Sequence, residues 1–161
     1  MKHLQIFIIL LVTSLSIHSQ DLKNESENVK TKMDAFASKT GVITKFIDFN
    51  LEDLKSSYGI KIDTRIRKVN SGSLESYFYQ IIKPGKYSNS TASIEYSDLL
   101  ELIKAIEVLE NNESEDVISN PDYLENKFIT EDGFQLGYYV NNGKSKWYLK
   151  LEKYGSDNTV L

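Results

Sequence analysis

Two Asx-Gly pairs, Asp132-Gly133 and Asn142-Gly143, divide the last third of the chain into three runs of strand character: Leu124 to Thr130, Phe134 to Asn141 and Lys144 to Lys153. Two-residue hairpin turns need positive φ at their central positions, which Asp-Gly and Asn-Gly supply with little strain. The stretch therefore predicts a three-stranded antiparallel meander. With Asn141 opposite Lys144, Val140 meets Ser145, Tyr138 meets Trp147, Leu136 meets Leu149 and Phe134 meets Leu151, so one face is continuously apolar. The other face holds Gln135 opposite Lys150, Gly137 opposite Tyr148 and Tyr139 opposite Lys146. A turn at Asp132-Gly133 is expected to bring Phe128 across from Gly137, covering a glycine that weakens a strand.

The preceding residues add strands and one helix. Val42, Ile43, Phe46, Ile47 and Phe49, interspersed with Thr44, Lys45 and Asp48, read as a strand. Leu51 to Tyr58 is a connection or short helical turn, closed by Gly59. Ile60 to Val69 and Leu74 to Ile82 form a hairpin across Asn70-Ser71-Gly72-Ser73, with Val69 expected opposite Leu74 and Ile66 opposite Tyr77. Its second face carries Lys61, Asp63, Arg65 and Arg67 beside Phe78 and Ile82. After a short strand from Ala92 to Tyr96, Ser97 is expected to cap a helix whose Leu99, Leu102, Ile103 and Ile106 share a face. Asn111-Asn112 is expected to end it, leaving Glu113 to Asp122 as an acidic loop. The fold class is α+β: a twisted antiparallel sheet of about seven strands with one long helix packed on one face. Thr159-Val160-Leu161 opens something apolar, so either a short strand docks on the sheet or the chain is truncated before a last element.

Residues 1–19 read as a secretory signal. Lys2 and His3 give a basic start, Leu4 to Val12 is apolar apart from Gln5, and Thr13 to Ser19 is small and polar. That apolar run is too short to span a bilayer, which needs roughly 20 residues. Cleavage after Ser19 leaves a polar lead-in over 20–32, expected to be disordered, and a single domain over 33–161. The exported product is expected in the periplasm or outside the cell, with no membrane insertion after cleavage. Removing the signal also removes His3 and His18, the only histidines, and the chain has no cysteine. That excludes Ser-His-Asp and Cys-His nucleophiles, zinc held by His or Cys, and a disulfide framework. Without Lys2, 18 basic residues face 23 acidic ones, a balance that argues against nucleic acid as a partner.

Four segments carry a family resemblance: Thr91 to Leu100, Asn120 to Phe128, Asp132 to Tyr139 and Lys146 to Thr159. They include Ile94-Glu95-Tyr96-Ser97, Asn120-Pro121-Asp122-Tyr123, Phe134-Gln135-Leu136-Gly137 and Lys146-Trp147-Tyr148-Leu149. Together they resemble uncharacterised small exported proteins common in flavobacteria and their relatives. The resemblance spans most of the mature chain and implies no activity, so it carries over no functional residue. Members of that group continue past the point where this chain stops, which favours truncation.

Two clusters are candidates for ligand binding. Arg65 and Arg67, the only arginines, project to one strand face with Lys61 and Phe78, where planar guanidinium groups suit an anionic ligand. Cross-strand ion pairs and arginine–aromatic stacking are the alternative use of that face. Tyr139 and Tyr148 with Lys146 and Lys150 form an aromatic-basic patch on the meander's outer face, unless the helix or first hairpin covers it. No catalytic residue, metal ligand or cofactor motif is identified. The expected function is a non-enzymatic binding module for a peptide, protein or glycan. The alternative is a carboxylate-dependent glycan hydrolase of the cell envelope, drawing on Asp48, Glu52, Asp53 and Glu95.

Overall fold

The computed structural model describes residues 31–119, 121–152 and 158–161. The signal segment and most of the lead-in lie outside the described residues. The chain is α+β, with its strands in two antiparallel sheets rather than the single sheet expected. Strands β1 (Thr44–Asn50), β3 (Lys61–Ser71), β4 (Leu74–Lys83) and β5 (Ser90–Glu95) run in that order, and the two-residue β2 (Leu54–Lys55) also pairs with β3. The second sheet, in sequence order, is β6 (Leu124–Ile129), β7 (Gln135–Asn141), β8 (Lys144–Lys150) and β9 (Thr159–Val160). Helix α2 (Tyr96–Ile118) links the two sheets, and a short α1 (Lys32–Ala37) precedes β1.

The division into two sheets follows from burial. Each sheet has one strongly apolar face, more surface in total than a single helix can cover. Ile62, Ile81, Ala92 and Ile94 from the first sheet meet Leu102 of α2 and Phe134, Leu151 and Val160 from the second half of the chain. Leu109 of α2 seats a second cluster with Tyr138 and Val140. β9 docks antiparallel on β8, with Leu149 opposite Val160.

Turn chemistry moved two registers. The first hairpin closes through Gly72-Ser73, with Ser71 opposite Leu74 and Gly72 at a φ of 61°. Glycine at the first central position supports a two-residue turn, tighter than the four-residue loop expected. The slip is two residues, so each face keeps its members. Ile66 now meets Tyr79, and Arg67 meets Phe78. At the β6–β7 connection the amide of Gly133 donates to the carbonyl of Thr130, and Thr130 pairs with Phe134. Gly133, at a φ of 87°, closes a three-residue loop instead of a two-residue one. That single extra residue flips β6, so Phe128 faces Leu136 in the core and Lys127 lies across from Gly137. The Asn142-Gly143 turn has positive φ at both residues (52° and 67°), and the β7–β8 register from Gln135–Lys150 to Asn141–Lys144 is the one expected.

Helix α2 also departs from expectation at both ends. Its N-cap is Glu95, whose carboxylate accepts from the Ser97 amide, rather than Ser97 itself. It continues through Asn111-Asn112 to Ile118, so Glu113 to Ile118 is helical and not a loop. Tertiary contacts override the weak helix propensity of asparagine there. Val117 packs on the Leu109 cluster, Asp116 accepts from the Tyr138 hydroxyl at 2.5 Å, and Glu113 accepts from Ser145.

Helix α1 begins at Lys32, the last residue of the expected lead-in. Thr31 and Asp34 form a reciprocal capping box. The Lys32 amide donates to both Asp132 oxygens at 3.0 Å, while its ammonium pairs with Asp98 at 2.8 Å and Glu131 at 3.4 Å. Phe36 then packs edge-on against Phe78. One residue thereby ties α1 to the start of α2 and to the β6–β7 turn. Among the described residues no helix is long and apolar enough to cross a membrane.

Candidate functional site

The two candidate clusters occupy different sheets. On the first, period-two alternation along β3 puts Lys61, Arg65 and Arg67 on the face away from the main core. Antiparallel pairing brings Asp48 of β1 directly opposite Arg67. Asp48 accepts a two-pronged hydrogen bond from Arg67 (2.7 and 2.8 Å) and pairs with Arg65 at 2.9 Å. The Arg65 Nε also donates to Gln80, whose amide donates to Ser93, and Arg67 lies 5.5 Å over the ring of Phe46. Phe78 is buried beneath Phe36. Lys61 stands apart, between Asp53 (3.1 Å) and Asp63 (3.4 Å). Asp53, Lys61, Asp63 and Arg65 line a polar hollow of about 390 Å³. The structure thus joins Arg65, Arg67 and Phe78 on one face, with both guanidinium groups engaged by one carboxylate.

The Arg67 hydrogen bond, supported by the charges of Arg67 and Arg65, holds the Asp48 carboxyl below its ordinary range, against the opposing effect of burial. Because the folded pKa is depressed, the pair's stabilisation is complete above the unfolded value of about 3.9 and is lost as pH falls through the lower folded value. Asp48→Asn is expected to cost about 1 kcal/mol at pH 7, since the partly exposed groups are screened. Urea midpoints should show that difference unchanged from pH 8 to pH 5 and closing only in strong acid.

Two of the other candidate acids, Asp53 and Glu95, also have structural partners. The Asp53 carboxylate holds Lys61 and that of Glu95 caps α2; at Glu52 it is the main-chain carbonyl, not the acid, that accepts from Thr64 at 2.6 Å. Among the described residues no cluster of three or more acids is arranged to hold a metal ion.

The second cluster lies on the face of β6–β7–β8 opposite the helix. Tyr138, Val140 and Leu136 turn toward the core, so Gln135, Gly137 and Tyr139 turn outward with Lys146, Tyr148 and Lys150. Glu125, Lys127 and Ile129 of β6 complete this face, and all three are exposed. Tyr148 lies opposite Gly137, yet its hydroxyl donates to Glu125 on β6 at 2.7 Å. Strands are about 4.8 Å apart, so the ring must cross the full width of β7. The β7 residue opposite Tyr148 is Gly137, which has no side chain to obstruct that span. Lys127 pairs with the same carboxylate at 3.0 Å. The Tyr148 and Lys127 hydrogen bonds lower the Glu125 pKa, while burial, followed by Glu125, pushes the Tyr148 phenol upward.

Sequence reasoning missed four members of this face, Tyr123, Glu125, Lys127 and Ile129. Tyr123, just before β6, is exposed and close enough to Tyr148 to influence its ionisation. Glu125, Lys127 and Ile129 escape detection because a β6 register one residue off puts all three on the core side. The signal that would have found them is Gly133, read as the last residue of a three-residue loop. No known protein family, curated protein or solved structure matches the chain.

Proposed function

We propose that this chain is an exported, non-enzymatic binding module whose ligand, a peptide, protein or glycan, lies on the outer face of β6–β7–β8. The observation that carries the reading is the Tyr148 hydroxyl bonded to Glu125 two strands away, with Gly137 opposite Tyr148 on the strand between. A tyrosine held by its hydroxyl offers an aromatic contact surface at reduced entropic cost, and Tyr139, Tyr123, Lys146 and Lys150 supply further aromatic and cationic contacts on the same face. The arginine pair of the first sheet is already committed to Asp48 and serves that strand ladder.

Export is part of the proposal, resting on the signal pattern of residues 1–19 and the resemblance to exported flavobacterial proteins. Amino-terminal sequencing of the chain from a periplasmic fraction should begin at Gln20; a product that keeps Met1 would remove this part. For binding, immobilised protein should retain a component of periplasmic extract or cell-wall material. Tyr139→Ala combined with Lys146→Glu should weaken that retention at least tenfold, since a well-seated aromatic contact carries about 2 kcal/mol. Both positions are free of the Tyr148–Glu125 link, so the face itself persists. Equal retention by the double variant, or no retention by either protein, would refute the proposed face.

A further inference from the structure

The free edge of the first sheet has its own specificity. β1 pairs with β3 on one side, and among the described residues nothing pairs with its other side. The Leu51 amide donates to Thr64, and the Gly72 amide donates to Ile43. Those bonds set the alternation of the antiparallel ladder: Lys45, Ile47 and Phe49 direct their main-chain groups toward β3, while Thr44, Phe46, Asp48 and Asn50 direct theirs outward. The edge is also apolar. Ile43 is 89 % exposed, Phe49 53 % and Phe46 49 %. Native sheets normally blunt such an edge with charge, proline or a bulge.

We propose that β1 pairs antiparallel with β1 of a second copy of this chain, about a two-fold axis at Ile47. The sequence of β1 selects this partner and this register. Centring on Lys45 or Asp48 would set a charged side chain against its own copy, and centring on Phe46 would pair only 44–48 of the seven-residue strand. Centred on Ile47, all of β1 is paired: Thr44 meets Asn50 of the second copy, Lys45 meets Phe49, Phe46 meets Asp48 and Ile47 meets Ile47. No like charges face each other. Lys45 gains an aromatic face, and Asp48 is already neutralised by Arg65 and Arg67. The outward groups of Thr44, Phe46, Asp48 and Asn50 satisfy one another in about eight main-chain hydrogen bonds. The contact is isologous and closed, so it stops at a dimer.

Sedimentation of the purified full chain should show a reversible monomer–dimer equilibrium. Ile47→Lys and Ile47→Glu each place like charges across the axis, and each should weaken dimerisation about 100-fold; since Ile47 also lies opposite Lys68 of β3, recovery in a mixture of the two separates a lost interface from a loosened β1. An equimolar mixture of the two variants should restore dimerisation. In the unaltered chain, hydrogen exchange at the Phe46 and Asp48 amides should slow as protein concentration rises. A chain that is monomeric throughout, a dimer indifferent to Ile47→Lys, variants that fail to complement each other, or exchange at those amides independent of concentration would overturn the proposal.

Discussion

Replacing Tyr138 with alanine is expected to remove about 3–5 kcal/mol of stability, as for other large aromatic deletions from a packed core. Against a typical total of about 5–15 kcal/mol, that loss brings a domain of this size near its unfolding midpoint in mild denaturant. Tyr138 is fully buried, packs with Leu109 and Val140, and lies 5.0 Å from the Trp147 ring. Its hydroxyl is the bond that fastens the last turn of α2 to the second sheet. Tyr138→Phe keeps the ring and loses only that bond, about 1–2 kcal/mol. Burial, followed by the Asp116 carboxylate, pushes the phenol up to about 12. The folded state therefore keeps this proton where the unfolded chain, at about 10, has lost it. The associated stability is present below pH 10 and lost as pH rises from 10 toward 12. Urea midpoints at pH 7, 9 and 11 should diverge less between Tyr138→Phe and the unaltered chain as alkalinity increases.

Gly137→Val separates two physical arguments of opposite sign. Strand propensity favours valine over glycine by up to about 1 kcal/mol. Close approach opposes it: a Cβ at 137 would lie 2.6 Å from the Lys127 Cβ, 2.7 Å from its Cα, and against the Asn126 carbonyl oxygen. Backbone atoms cannot yield as the end of a flexible side chain does, so overpacking of about 1–3 kcal/mol or more is expected to win. The same substitution blocks the path of the Tyr148 ring to Glu125. Thermal melts should show a lower midpoint, and titration of the Tyr148 phenol should move back toward its ordinary value. A higher midpoint would mean that β6 can shift aside.

What could be read from the sequence depended on turns. Asn142-Gly143 adopts the paired positive φ that its residues favour, so every paired contact expected between Gln135–Lys150 and Asn141–Lys144 is present. Gly133 misled because a glycine after Asp also closes a three-residue loop, and one residue of loop length reverses a whole strand face. Tyr139, Lys146, Tyr148 and Lys150 share a face because they sit on the β7–β8 pair, whose register the Asn142-Gly143 turn sets. Tyr123, Glu125, Lys127 and Ile129 sit on the misregistered one. The extra turns of α2 could not be read locally: Asn111, Asn112 and the acids that follow are poor evidence for helix until Tyr138 and Ser145 are known to stand opposite them. The Arg65–Asp48–Arg67 arrangement needed the β1–β3 register, which links residues nineteen apart through no turn signal.

The main core draws on both halves of the chain, and its composition has a consequence for timing. Ile62, Ile81 and Ile94 are synthesised earlier, but Phe134, Leu151 and Val160, which cover them, come from the last third. At about 5–20 residues per second, several seconds separate the two sets on the ribosome. The nascent first sheet spends that interval with its apolar face unsealed. Native packing of this core therefore waits until the strands of the second sheet have emerged.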